Sequence, residues 1–380
     1  MWSPQRYLAE GIKLGIDIKI LQSAVRQIQR LRSHNPPLPP LLSLSHLART
    51  IESDTAYLDR VITRSETAYR GFSIRKRSGG LRDIYVPSSA LMTTQRWIAQ
   101  NILCELPVHS ASQAFKKGNS IVNCAQVHCE AKWLIKLDIA NFFGSISEPQ
   151  VYKVFQRLGY NNLVSFQLTR LCTWPDFTAY RKYAGTNFWH GRNKKFSISR
   201  YTCEYVGALP QGAATSPLLS NLVMCDLDKA LTQIAAEYGL QFTRYSDDMT
   251  FSTVDDNFTR EKAGELIKMV AAVLKVKGLY LNKKKTNVVP PGARKVVLGL
   301  LVDRVVPALP REFKDKLRQH LYYLKKHGVE NHIERRKFDS AGGVYRHILG
   351  LINFANMVDA EFAEKMKAEL NSLPWLGVAP

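Results

Sequence analysis

The chain has 380 residues, 45% of them hydrophobic, which is apolar enough for a large core and more than one compact domain and excludes a disordered chain. Lysine and arginine total 53 against 32 aspartates and glutamates, a formal charge of +21 that costs self-repulsion unless a polyanion neutralises it, so nucleic acid is the first partner to expect. With no apolar run of about 18 residues, no export-type start and six scattered cysteines lacking a CxxC pair, neither a membrane span nor a disulfide framework is expected, and a reduced, cytoplasmic setting is.

Leu21, Val25, Ile28 and Leu31 fall on one stripe with Arg26, Arg30 and Arg32 outside it, predicting a helix that Pro36, Pro37, Pro39 and Pro40 end. This reads as an N-terminal arm with a stiff linker. A helical segment over 43–65 leads to 69–87, where apolar runs flank Arg75-Lys76-Arg77-Ser78-Gly79-Gly80, the signal of a basic hairpin. Helical spacing returns over 91–106, and the apolar run 133–139 predicts a buried strand that meets Asp138 near its end. Helices around 151–171 precede 174–205, a stretch dense in Tyr, Trp, Lys and Arg that suits unpaired bases and phosphates, a protein partner or a packed hairpin.

After Leu209-Pro210-Gln211-Gly212, the spacing predicts a helix over 216–236. Strand-like 240–245 and 249–252 place Asp247 and Asp248 at a hairpin tip. A helix over 260–276, the basic Lys283-Lys284-Lys285 segment and a strand-like 296–302 follow. Beyond Pro310, Phe313, Leu317, Leu321 and Leu324 share one face while most basic residues lie elsewhere, which reads as a separate basic helical domain.

Neighbouring strand residues point to opposite faces, so Asp247 and Asp248 reach one point only through a turn or a shared ligand. A divalent cation is such a ligand, because carboxylates after apolar strands supply hard oxygen donors. Asp138 on another strand would complete a site for two ions about 3.5–4 Å apart, the clamp for in-line phosphoryl displacement. A bare Asp pair in a hairpin is also an ordinary solvated turn, and spacing alone does not separate the two readings. His128, between Cys124 and Cys129, lacks an obvious fourth partner for zinc.

The ordered motifs carry a resemblance. Leu137-Asp138-Ile139-Ala140-Asn141-Phe142-Phe143, then Leu209-Pro210-Gln211-Gly212-Ala213-Ala214-Thr215-Ser216-Pro217, then Tyr245-Ser246-Asp247-Asp248 resemble the palm of a reverse transcriptase. Arg82-Asp83-Ile84-Tyr85-Val86-Pro87 is similar to the opening fingers motif, Asn282-Lys283-Lys284-Lys285-Thr286 to the motif after the catalytic hairpin, and Val297-Leu298-Gly299-Leu300 to the primer grip. The likeness covers about 69–302 and is nearest to the bacterial retron type, through Asn123-Cys124-Ala125-Gln126-Val127-His128 and Val297-Leu298-Gly299. The chain departs from that type in carrying Cys124-Ala125-Gln126-Val127-His128 where Asn-Ala-x-x-His is common, and Leu298 where Val-Thr-Gly is common.

The resemblance implies an α+β right-hand polymerase: an N-terminal helical arm and Pro-rich linker over 1–40, fingers over 41–135, a palm over 136–307 with the aromatic-basic insert, and a helical thumb and RNA-binding tail over 308–380. It implies that Asp138, Asp247 and Asp248, with the carbonyl of Ile139, hold two Mg²⁺ ions, for which Mn²⁺ could substitute. Lys285 is implied as a general acid or a phosphate contact. Arg75 and Arg82 would hold the triphosphate of an incoming dNTP, since guanidinium groups bind phosphate in bidentate fashion, with Lys76 as the rival of Arg75. Gln211 and Gly212 would lie against the nucleotide and template, and Phe143 would exclude a 2′-hydroxyl or serve as a core aromatic. Lys116, Lys117, Asn123, His128, Gly299, Arg311, Lys314 and Arg318 are the expected nucleic-acid contacts, with a structural role as the alternative for His128.

A retron-type enzyme would copy part of a cognate structured non-coding RNA into branched single-stranded DNA, in anti-phage defence with a separate effector protein. An unbranched intron-like or other defence-associated reverse transcriptase and a non-catalytic RNA-binding scaffold are the alternatives. The chain ends soon after the expected thumb, so no appended nuclease domain is expected.

Overall fold

The computed structural model describes residues 3–75, 79–175 and 206–375. The chain divides into two compact units that interleave along the sequence: residues 1–116, 138–231 and 270–283 form the first, and residues 117–137, 232–269 and 284–380 the second. The segments implied by the resemblance are, by contrast, consecutive.

The first unit opens with helices α1 (Pro4–Lys13) and α2 (Ile18–Arg32), and the predicted stripe of α2 is buried at Leu21, Val25, Ile28 and Leu31. Helices α3 (Leu44–Thr50) and α4 (Thr55–Ile62) are each capped by an acceptor side chain, Ser43 and Asp54, which satisfies amides that have no partner inside the helix. Strands β1 (Tyr69–Arg75) and β2 (Leu81–Pro87) pair antiparallel as the predicted basic hairpin. Helix α5 (Ser89–Ile98) continues into a π-helical turn, Ala99–Leu103, so the predicted helical run is loosened in its last part.

Before the next stretch of the first unit comes α6 (Ile121–Gln126), in the second. Strand β3 (Trp133–Asp138) straddles the division, its last residue belonging to the first unit. There follow α7 (Phe142–Ser145), α8 (Glu148–Arg157), α9 (Asn162–Cys172) and α10 (Ser216–Glu237). Both faces of α9 are buried, and its end carries a charged network. Arg64 donates to the carboxylate of Glu148, to the Thr173 carbonyl at 2.7 Å and to the Thr173 hydroxyl at 2.9 Å. Arg170 stands 3.4 Å from the other Glu148 oxygen. Glu148, Arg170 and Thr173 are fully buried, so every charge there depends on a protein partner. The described residues on either side of 176–205 pair with each other, Trp174 and Ala208 exchanging backbone bonds of 3.1 and 3.0 Å.

The second unit is built on a four-stranded sheet in the order β4-β5-β3-β6, where β4 is Gln241–Tyr245, β5 Asp248–Thr253 and β6 Asn287–Val289. Helix α11 (Arg260–Val276) joins β5 to the following turn. The segment predicted as one strand over 296–302 is instead a tight hairpin, β7 (Val296–Val297) and β8 (Leu300–Leu301). Its turn residues Leu298 and Gly299 both have left-handed backbones, φ 48° and 85°, which is the two-residue turn that matches strand twist.

Helices α12 (Arg311–Arg336), α13 (Ala341–Asn356) and α14 (Ala360–Asn371) form the predicted helical tail. Leu317, Leu321 and Leu324 pack with Val344, Ile348 and Ile352 and with Phe362, Met366 and Leu370. This core also takes in Leu134 of β3 and Val297 and Leu300 of the small hairpin. α12 breaks at Gly328, φ 77°, and folds back, so that His320 and His332 meet at 3.0 Å and Arg336 donates to Gln319. No helix among the described residues is long and apolar enough to cross a membrane.

Candidate active site

The hairpin β4–β5 begins from its apolar content: Phe242 and Phe251 are cross-strand partners whose rings stack with centroids 4.6 Å apart. Tyr245 pairs with Asp248, so the turn consists of Ser246 and Asp247, and Asp248 is the first residue of β5 and not part of the tip. Ser246 is left-handed at φ 60°, a costly state for a non-glycine residue. The wholly buried guanidinium of Arg244 donates to the Ser246 carbonyl at 3.0 Å and holds the turn. The local signal for Arg244 is no more than a charged residue inside an apolar strand.

The Lys132 amide donates to the Thr253 carbonyl at 2.8 Å, which sets the start of β3 beside the end of β5. The two strands therefore run antiparallel, and β3 reaches Asp138 at the end of the sheet where the Asp247 turn lies. Asp138 is buried, Asp247 half-buried and Asp248 exposed. Beyond Asp138 the chain pairs with 280–282: the Asn282 amide donates to the Asp138 carbonyl at 2.7 Å and that of Ala140 to the Tyr280 carbonyl at 2.8 Å. Because these bonds flank the Ile139–Leu281 bridge, the carbonyl of Ile139 points to the opposite edge of its strand. Lys285 is exposed, in the turn between Asn282 and β6.

Three carboxylates at one end of a sheet are an all-oxygen donor set, the type a hard divalent cation takes. Ligating geometry is not formed in this structure: among the described residues no group of three or more His, Cys, Asp or Glu side chains is gathered to hold a metal ion, and none of Asp138, Asp247 and Asp248 is without a partner. What fits is the donor chemistry and its placement.

The hairpin β1–β2 separates the two candidate triphosphate arginines. Ile74 pairs with Arg82 and Arg75 with Leu81, so the pleat directs Arg82 to the face of Ile84 and Arg75 to the face of Tyr85. A Cβ on Gly212 would stand 3.1 Å from the Ile84 side chain and 2.9 Å from the Tyr85 carbonyl, and Gly212 has φ 121°, so glycine is required there. The Tyr85 amide donates to the Gln211 carbonyl at 2.8 Å. Arg82 thus shares its face with the residue over the Gln211-Gly212 loop, and Arg75 does not. Tyr85 stacks on Trp174, ring centroids 3.5 Å apart, a contact that no local motif signals. Of the aromatic pair after β3, Phe142 is buried and Phe143 half-buried, which leaves Phe143 accessible to a ligand.

The expected nucleic-acid contacts divide in the same way. Lys116, Lys117, Asn123, Gly299, Arg311 and Arg318 are exposed, and Phe115 beside the two lysines is 42% exposed and was missed. His128 is a correction. It has no exposure, and its two ring nitrogens lie 2.7 Å from the hydroxyls of Ser252 and Thr243, so RNA does not reach it. Burial pushes its pKa down to about 4, and the ring is neutral. Lys314 is half-buried: it pairs with Asp359, the N-cap of α14, and lies over the Phe362 ring, tying two helices together. Arg311 and Arg318 share the exposed Asp315, a weak surface pairing that phosphate could displace. Lys76 and, past Pro175, the aromatic-basic insert lie outside the described residues.

A sequence profile of the family described as reverse transcriptase (RNA-dependent DNA polymerase) matches residues 74–320. The Retron Ec86 reverse transcriptase of Escherichia coli is 26% identical over 348 residues, 91% of this chain and 94% of that protein. The Retron Ec73 reverse transcriptase of the same organism is 29% identical over 327 residues, 83% of this chain and 91% of that one. The Retron Mx162 reverse transcriptase of Myxococcus xanthus is 29% identical over 318 residues, 81% of this chain and 61% of the relative.

Proposed function

The chain belongs to the reverse transcriptase family and is an RNA-directed DNA polymerase of the bacterial retron type; on that premise we propose that it copies part of a cognate structured RNA into branched single-stranded DNA. The observation that carries the catalytic part is the antiparallel sheet, which brings Asp138 and the Asp247 turn to one end. The similarity to retron enzymes supports the branched product. A place in anti-phage defence, beside a separate effector protein, extends the same reading.

In the proposed mechanism Asp138, Asp247 and Asp248, with the Ile139 carbonyl, would hold two divalent ions. Bound there, magnesium, or manganese in its place, would lower the pKa of the attacking primer hydroxyl and offset the charge of the departing pyrophosphate. Arg82, from the face over Gly212, grips the triphosphate in bidentate fashion. Gly212 lets the nucleotide come close to the backbone, and Phe143 stands under the sugar and excludes a 2′-hydroxyl. Lys285, exposed on its turn, contacts the pyrophosphate and could protonate it. Lys116, Lys117, Arg311 and Arg318 bind backbone phosphates, so affinity falls with salt.

Purified protein with its RNA, dNTPs and Mg²⁺ is expected to make DNA, and Asp247→Asn to make none. Continued synthesis by that variant rejects the metal assignment. DNA joined to a single ribonucleotide after RNase digestion supports branching, whereas a free 5′ end indicates an unbranched enzyme.

A further inference from the structure

We infer that His128 is a positioning residue that locks the register of the catalytic hairpin from beneath, and that it does not recognise RNA. The inference rests on the polymerase reading only for the word catalytic; the contact itself is geometric. His128 follows α6, and its imidazole spans both strands of the hairpin, Thr243 of β4 and Ser252 of β5, at 2.7 Å each. Thr243 pairs with Thr250, which places Ser252 one step further along on the same face, so the imidazole bridges a diagonal of the ladder. A diagonal bridge opposes sliding of one strand past the other. Sliding matters here because a one-residue slip turns every side chain to the other face.

The chemistry of the bridge is suited to this. A neutral imidazole has one N–H donor and one acceptor nitrogen, and two hydroxyls can answer both. The Cys124 thiol also donates to the Thr243 hydroxyl, at 3.4 Å, so the helix holds β4 through two residues. Thr243 and Ser252 each lie four residues from one of the paired acids, Asp247 and Asp248. On the outer side of the same helix Asn123 is exposed and Gln126 donates to the Val305 carbonyl. The segment is therefore two-faced: an outward surface at Asn123, and an inward brace at Cys124 and His128. Arg244, which points to the opposite sheet face, holds the turn carbonyl, so the hairpin is fixed from both sides.

The experiment compares full-length wild type with His128→Leu, His128→Gln and Thr243→Val on a primed RNA template. Loss of the brace misplaces the acids by a fraction of an ångström to about 1 Å, so kcat is expected to fall about tenfold to a hundredfold in His128→Leu. The KM for dNTP and the dissociation constant for RNA should stay within about twofold. His128→Gln, whose amide keeps a donor and an acceptor, restores most of the rate, and Thr243→Val lowers it while leaving the imidazole in place. A loss of RNA affinity with kcat intact overturns the inference, as does an unchanged kcat in His128→Leu. Should His128→Leu fail to fold, Thr243→Val decides by the same kcat criterion. Should wild type make no DNA, the polymerase reading fails, and the brace is judged by amide exchange: His128→Leu or Thr243→Val must speed exchange across 241–253 while leaving 341–371 unchanged, and equal rates reject it.

Discussion

Two buried polar networks hold the two units, and they differ in charge. In the first unit two guanidinium groups, Arg64 and Arg170, surround the single carboxylate of Glu148, with Thr173 between them. In the second, the neutral His128 ring joins two hydroxyls and, through Thr243, a thiol. Burial alone would raise the Glu148 carboxyl, but Arg170 and Arg64 outweigh it and hold it below the usual carboxylate range. Burial pushes the Arg64 guanidinium the other way, below its ordinary value. The charged network joins the end of α4 to α8 and to the end of α9, yet each member is safe only while the others stay. The neutral network risks less free energy and sets geometry near the acids. The contrast teaches that the charged group is where stability is vulnerable, and the neutral one where rate is.

Glu148→Ala should break the comparison most violently. It leaves two buried guanidinium groups without their carboxylate, at a cost of about 3–5 kcal/mol, read as a lower urea midpoint. A loss under about 1 kcal/mol would mean that water reaches the two guanidinium groups and replaces the carboxylate.

Acid should separate the networks next. His128 has a folded-state pKa of about 4, below its unfolded value near 6.5, so the unfolded chain binds the extra proton. The stability it contributes is full above about pH 6.5 and is lost as pH falls from there to about 4, at most about 3 kcal/mol. His320 and His332 are depressed by burial and add a loss of the same sign, so the measurement is the difference between wild type and His128→Gln in urea melts from pH 7 to 4.5. Glu148, depressed from the carboxylate value, keeps its contribution above about pH 4.5 and loses it only below. Identical pH slopes for the two proteins would remove His128 from the account.

Trp174→Ala tests the edge of the charged region, where Tyr85 stacks. The loss should be about 0.5–1.5 kcal/mol, with a raised KM for dNTP because Tyr85 also binds the Gln211 carbonyl. An unchanged KM would separate the stack from nucleotide binding. Smallest is Arg318→Ala on the exposed side of α12, expected to move stability by no more than about 0.5 kcal/mol. Its effect should appear in RNA binding, as a slope against salt shallower by about one.

Much of the fold was legible because it rests on local pattern. The stripe of α2, the basic hairpin, the strand reaching Asp138 and the turn at Asp247 fall where periodicity and turn residues predict, whereas Asp248 begins β5 and does not share the tip. The misreadings have particular causes. The segment over 296–302 looks like one strand because apolar content does not reveal that Leu298 and Gly299 both turn left-handed. His128 looks like a residue open to RNA because its partners Thr243 and Ser252 lie more than a hundred residues away. Arg75 and Arg82 flank the same turn in sequence, and only the strand pairing assigns them to opposite faces.

The sequence by itself determined the chemistry: which acids follow which apolar runs, how basic the surroundings are, and in what order the motifs occur. Those are properties of neighbours along the chain, carried by side-chain type and by periods of two and 3.6 residues. Tertiary structure alone decided which of these residues face a ligand and which are walled in. His128 meets Ser252 across 124 residues, and Arg64 meets Thr173 across 109. Burial and pairing over such separations are set by packing, and packing has no local signature.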